Sequence, residues 1–159
     1  MLKTTFRSVF EFRGHAQAYL ASCDRKRDEA KKPKEGEEAA KPEPRSKFEY
    51  ALRKVLKKSD RIAEDYNDTL SDIQIDNALD DPTTKELLKD SQGQFKYSKE
   101  GAKARNKAAR ELLDKPCEIE PHIAESVPDD VEDDQREEFR GFIIADVPAN
   151  AFLDKGEDT

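Results

Sequence analysis

The sequence predicts a mainly α-helical protein: a long antiparallel helical hairpin with a small β-hairpin at its tip and a short extra strand. Three observations carry that prediction. A single apolar stripe recurs at three- and four-residue spacing from Phe48 to Ile73. A second helical pattern, Ser98 to Lys115, follows a glycine-centred turn. Charged residues make up 41% of the 159 residues and the hydrophobic set only 35%. That apolar share suits long helices with narrow stripes better than one large core. The expected organisation is an N-terminal helix at 1–23, a charged Pro-containing linker at 24–46, the hairpin domain with its C-terminal acidic helix at 47–143, and a tail at 144–159.

The first residues, "MLKTTFR", read as extended. "SVFE" at Ser8–Glu11 has the form of a capping box, a serine followed three residues later by a glutamate. Val9, Phe10, Phe12, Tyr19, Leu20 and Cys23 give the ensuing helix its apolar side. Gly14 weakens it by roughly 1 kcal/mol relative to alanine. Residues 24–46 hold no leucine, isoleucine, valine or aromatic residue and carry three prolines, the composition of a solvated linker. A docking arm that orders on a partner is the functional alternative there.

The strongest helix follows. Ser46 with Glu49 forms a second capping box, and Pro82 closes the pattern, so the helix is expected over about 47–79. Its bases, Lys54, Lys57, Lys58 and Arg61, come first. Its acids, Glu64, Asp65, Asp68, Asp72 and Asp76, come last. That order opposes the helix macrodipole, which favours acids at the start and bases at the end. The Ser98 helix offers compensation, because Lys99, Lys103, Arg105, Lys107 and Arg110 crowd its first half. Folded back antiparallel, its basic start would lie beside the acidic end of the long helix. After Pro116, "CEIEPHI" alternates like a short strand, and Pro121 places it at an edge. "PDDVEDDQREEFRGFII" reads as an acid-started helix with Val131, Phe139, Phe142 and Ile143 on its apolar side and Gly141 at its end.

The net charge of −7 hides blocks of alternating sign: 63–81 carries −7, 82–115 carries +4 and 116–159 carries −11. Such blocks predict complementary packing within the chain or with a protein partner, and no direct nucleic-acid binding. Two cysteines make no disulfide framework. No apolar run approaches the ~18–20 residues of a membrane span, so no membrane partner is expected.

The turn "LLKDSQGQFKYSKEG", Leu87 to Gly101, invites a metal reading. A calcium loop needs acids at alternating positions and glycine at the sixth, whereas Gly93 stands three residues after Asp90 and lysines flank it. The turn reading assigns Gly93 the positive φ of a tight reversal, with Leu88 opposite Phe95 or Tyr97. His15, Cys23, Cys117 and His122 have zinc-ligand chemistry but no short paired spacing. The same cysteines and histidines lack any motif for nucleophilic catalysis, and no phosphate or dinucleotide loop is present. No catalytic residue, metal or cofactor is therefore assigned. The candidate partner-contact residues are Phe6, Phe10, Phe12, Phe139, Phe142 and Phe152, many large apolar groups for short elements.

The order of these pieces resembles a known group. The long amphipathic helix, the turn "DSQGQFKYS", a helix ending "ARELLDK", the strand "CEIEPHI" and the acidic "VEDDQREEFRGFII" resemble small helical proteins, mostly uncharacterised, encoded in tailed-phage and prophage genomes. The likeness spans about residues 47–143, with a weaker match at "LKTTFRSVFEF". The 24–46 insertion departs from it. The resemblance implies a phage-encoded accessory or assembly protein without catalytic residues. The expected function is thus non-enzymatic: a virion assembly factor or minor structural component, contacting other phage structural proteins or further copies of itself. Its expected location is the host cytoplasm during assembly, and the virion. The alternative is an acidic inhibitor of a host defence or nucleic-acid-acting enzyme, working through the acidic runs.

Overall fold

The structure, a computed structural model, describes residues 1–31 and 45–145. Within them the chain is mainly helical with a small antiparallel sheet of two strands. Strand β1 (Leu2–Thr5) leads directly into helix α1 (Phe6–Lys31). Helix α2 (Lys47–Asn77), helix α3 (Lys99–Leu113), strand β2 (Pro116–Ile119) and helix α4 (Asp133–Phe139) follow. No helix of the described residues is long and apolar enough to cross a membrane.

Helix α1 starts earlier than the Ser8 capping box suggested. The Thr5 hydroxyl accepts from the Ser8 amide at 3.2 Å, so the chain turns from strand to helix at Thr5. The reason lies in β1, whose pairing with β2 ends at Thr5 opposite Pro116, with the Phe6 amide making a last bond to the Lys115 carbonyl oxygen at 3.3 Å, so the helix begins where that ladder stops. The helix also continues past residue 23 to Lys31, which moves the start of the predicted linker C-terminal. Charged residues hold this last stretch. Arg27 pairs with Asp24 and with Glu49 of α2, and Arg53 reaches Asp24 at 3.3 Å. The rest of the predicted linker, 32–44, lies outside the described residues.

Helix α2 opens on the predicted capping box. The Ser46 side chain accepts from the Glu49 amide, and the Glu49 carboxylate reaches back to the Ser46 amide. Its 31 residues extend about 46 Å. The first part of α2 and α1 from Val9 to Cys23 enclose the core. Val9, Phe12, Ala16, Tyr19 and Leu20 project from α1 at helical spacing against Phe48, Ala51, Leu52 and Val55. Ile119, Val131, Phe139, Phe142 and Ile143 close the cluster. Phe12 stacks on Phe142 at 4.4 Å between ring centroids and meets Phe139 edge-on at 5.8 Å. Both geometries are favoured by the ring quadrupole.

Helix α4 is shorter than the acidic pattern suggested, because Val131 is drawn into the core and the chain turns there. The Gln135 side chain then accepts from the Glu132 amide at 3.0 Å, and Asp134 accepts from the Gln135 amide. Gly141 turns the chain at φ +83°, and Phe142 and Ile143 accept from the amides of His122 and Ala124. That pairing ties the C-terminal apolar residues beside the segment after β2.

The distal part of α2 is built differently. From Asp60 to Glu111 no residue is buried, and Leu112 at the end of α3 is the next one that is. Here α2 packs on α3, and the two approach closely where α3 begins. A Cβ added at Gly101 would stand 2.6 Å from the Asn77 carbonyl oxygen. At the other end Lys58 of α2 meets Glu120 just past β2 at 3.2 Å.

Between α2 and α3 the backbone makes single bridges, Asp80 with Leu87 and Lys89 with Phe95, where a β-hairpin was expected. The register is one residue from the expected one: Lys89, not Leu88, stands opposite Phe95, and its ammonium lies 5.5 Å from the ring centroid. The turn itself follows the sequence reading. Asp90 accepts from the amides of Gln92 and Gln94, and Gly93 has φ +79°. The Asp90 carboxylate is thereby occupied with its own backbone. Strand β2 does not join this turn. It pairs with β1, Leu2 opposite Ile119, so the first residues of the chain are held against the segment that follows α3.

Candidate interaction surface

The six phenylalanines expected to contact a partner have different fates. Phe12, Phe139 and Phe142 are buried in the core and are not available to a partner. Their apolar surface is consumed by one another, as the stacked and edge-on rings show. Phe6 and Phe10 are half-buried against Tyr66 of α2, at 5.6 and 4.7 Å between centroids. Phe152 lies outside the described residues.

The exposed apolar groups are others. Tyr50 on α2 is 60% exposed, Ile123 44% and Ile75 46%. Tyr50 stands two residues beyond Phe48 and so on the opposite side of the helix from the core stripe. Its ring is edge-on to His122 at 6.0 Å. Beside it a cleft of about 610 Å³ runs along Arg53, Lys54, Lys57 and Lys58. Lys58 holds Glu120, and that hydrogen bond, with the charges of Lys58 and Lys54, keeps the Glu120 carboxyl below its ordinary pKa. The signal for this patch was in the sequence as an aromatic residue off the apolar stripe, set among lysines.

The second charged region is the outer surface of α2 and α3. Advancing about 100° per residue, Asp65, Asp68, Asp72 and Asp76 fall within one arc on the side of α2 away from Ile62, Tyr66, Leu70 and Ile73. All four are exposed, and Ile75 sits in the same arc. On α3, Lys99, Lys103, Lys107 and Arg110 fall within an arc away from Ala102, Ala109 and Leu112 and are exposed too. Arg105 is set apart: it lies over the Tyr97 ring at 4.4 Å and donates to Asn106. Among the described residues no ion pair joins the acids of α2 at 64–76 to the bases of α3. The compensation expected within the chain is therefore not made as ion pairs. Both rows face solvent, and the half-buried apolar and small residues of the two helices lie on their other sides.

The four residues considered for zinc do not gather. Among the described residues no group of three or more His, Cys, Asp or Glu side chains is placed to hold a metal ion. Cys23 lines a cleft of about 330 Å³ with Lys26, Arg27, Glu49 and Asp130. Cys117 sits in β2 opposite Thr4. His122 leans on Tyr50, and His15 lies on α1. Burial pushes both thiols above their ordinary pKa, and a thiol held protonated is a poor nucleophile. Tyr19 donates to Asp130 at 2.9 Å in the same region, and burial first, then that hydrogen bond, raise its phenol well above the ordinary value. Glu49 is 4% exposed and holds Arg27, while its Oε2 has no hydrogen-bond partner among the described residues.

No protein-family model, curated protein or solved structure matches the chain. The residues of the molecule are thus the basis of its functional reading.

Proposed function

We propose that the chain is a non-enzymatic protein-interaction component in which α2 and α3 form a projecting hairpin arm. The observation that supports this is the unbroken lack of buried residues from Asp60 to Glu111, set beside a core confined to the other end. An arm that buries so little of itself gains little from its own packing, and its outer charges have no work inside the fold. With the phage-like order of elements, the role proposed is that of a phage-encoded assembly factor or minor structural component of the virion. Mass spectrometry of particles and of assembly intermediates made with a tagged chain tests it. Recovery with structural proteins is the expected result, and its absence from both overturns the reading.

A second reading rests on the acidic segment 128–138. Arg136 turns back to the carbonyl oxygens of Val131 and Pro128, and Asp129, Asp133 and Asp134 are exposed. That face suits a basic host enzyme as target. Replacing these acids with lysine would abolish capture of such an enzyme without touching the arm.

A further inference from the structure

The two charged rows of the arm have matching spacing. Along α2 the acids Asp65, Asp68, Asp72 and Asp76 are separated by three, four and four residues. Along α3, read backwards, Arg110, Lys107, Lys103 and Lys99 are separated by three, four and four as well. Each row therefore spans about 17 Å of helix. Two helices laid antiparallel would bring Asp65 to Arg110 at one end and Asp76 to Lys99 at the other.

Within one chain these rows cannot meet. They are exposed on α2 and α3, on sides away from the half-buried residues of each helix. They can meet between chains. In each chain the start of α3 lies beside the end of α2, so α3 runs back along α2. When two copies lie side by side in the same direction, the α3 of one is antiparallel to the α2 of the next. That is the orientation the spacing matches. Ile75, exposed in the middle of the acidic row's last turn, would then be covered by the aliphatic stems of the neighbour's lysines.

We propose that the outer faces of α2 and α3 form a head-to-tail interface between copies of this chain, the acidic row of α2 receiving the basic row of α3 from its neighbour. The occupant is a second copy because one chain carries both the row and its complement, at equal length and mirrored spacing. The two rows lie on opposite sides of the arm, so each copy has one of each to offer after the first contact. Such an interface is heterologous and adds further copies in a row or closes them in a ring. The inference rests on the interaction reading above and names one partner for it. Each exposed pair is weak in water, so association depends on concentration and is lost in salt.

Sedimentation velocity of the purified full-length chain tests this. At about 50 mM salt the expected boundary moves to faster species as concentration rises, and at about 500 mM, where the Debye length falls to a few ångströms, it returns to monomer. Two charge-reversed variants sharpen the result. D68K/D72K/D76K makes both faces basic, and K99E/K103E/K107E makes both acidic. Each alone is expected to sediment as a monomer at low salt with an unchanged helical spectrum. Mixed in equal amounts, they are expected to associate again, since each then meets its complement. A third variant, D133K/D134K/E138K, is expected to associate like the unaltered chain. An unaltered chain that stays monomeric at low salt overturns the proposal, and then recovery of other virion proteins still decides the interaction reading separately. Association that survives either arm reversal, that fails to return in the mixture, or that is lost in the α4 variant also overturns it.

Discussion

Replacing Phe12 with alanine separates two roles for the same residue. As a partner contact, Phe12 would be dispensable for folding. In the structure its ring is fully buried, stacked on Phe142 and edge-on to Phe139. A phenylalanine side chain buries at least about 150 Å². At about 25 cal/mol per Å² its loss amounts to about 4 kcal/mol. Phe→Ala changes in packed cores cost about 3–5 kcal/mol once the residual cavity is included. Domains of this kind have a total stability of about 5–15 kcal/mol, so the variant should lose a large part of it. Leu70→Ala is the matched control in the arm. Leu70 is half-buried, so about half of a leucine's transfer free energy is at stake, or about 1 kcal/mol. Urea titrations followed by far-ultraviolet circular dichroism would give both numbers. Equal losses for the two variants, or a loss below about 0.5 kcal/mol for Phe12→Ala, would refute the placement of the core at one end of the molecule.

The other predictions concern the same division and its ionic and backbone details. Hydrogen exchange should be slowest in α1 and residues 48–59 of α2 and faster by orders of magnitude in 63–77 and α3, and uniform protection would contradict the arm. Glu49→Ala should cost about 3–5 kcal/mol, since it strands the partly buried Arg27 and removes half of a capping box; a loss under 1 kcal/mol in the same titration would show that solvent reaches the pair. Three glycines should rank by environment in thermal melts: Gly14→Ala raises stability by up to about 1 kcal/mol, Gly93→Ala lowers it by about 1 kcal/mol through its positive φ, and Gly101→Ala lowers it more, because the new methyl meets the Asn77 backbone. Cys23, Cys117 and Tyr19 all have raised folded pKa values, so their contributions are complete below the unfolded values and fade as pH rises past about 8.5 for the thiols and about 10 for the phenol. Stability should therefore fall in alkaline solution, and Tyr19→Phe should flatten the slope above about pH 10.

Local chemistry was legible in the sequence wherever one short stretch decides the outcome. Ser46 and Glu49 cap α2 because their spacing alone lets each reach the other's amide. Asp90 and Gly93 make the turn because an aspartate two residues before an amide closes it without help. What remained hidden depends on pairs far apart in the chain. Nothing near Thr5 announces that β1 will pair with β2 and end there, so Ser8 looked like the cap. The Asp24–Arg27 pair is local, but nothing within residues 24–31 shows that Glu49 also holds Arg27 and prolongs α1. The phenylalanines show the limit most directly. Phe12, Phe139 and Phe142 look like surplus apolar area in the sequence, until α1 and the chain around α4 are laid together and the area is consumed. Tyr50 is the reverse case: it fits a helix pattern poorly, and it is the residue left outside.

The charge order of α2 has an energetic consequence at each end of the helix. Bases at its start and acids at its end oppose its dipole, and each charge near an end costs about 0.3–1 kcal/mol in that arrangement. At the start the cost is offset within the chain. Glu49 stands in the first turn, and Arg53 and Lys58 find Asp24 and Glu120. At the end no basic residue lies in the last turn, and among the described residues no ion pair reaches Asp68, Asp72 or Asp76. The bases that match them in number and spacing are on α3, turned the other way. If chains associate through those rows, the lysines of a neighbour supply what the helix lacks, and the unfavourable end becomes favourable only in the assembled state. The acids would then weaken the lone arm and strengthen the row. Replacing Asp72 and Asp76 with asparagine should accordingly raise the melting temperature of the dilute monomer while weakening association at high concentration. Both measurements moving in the same direction would show that the acids act within one chain.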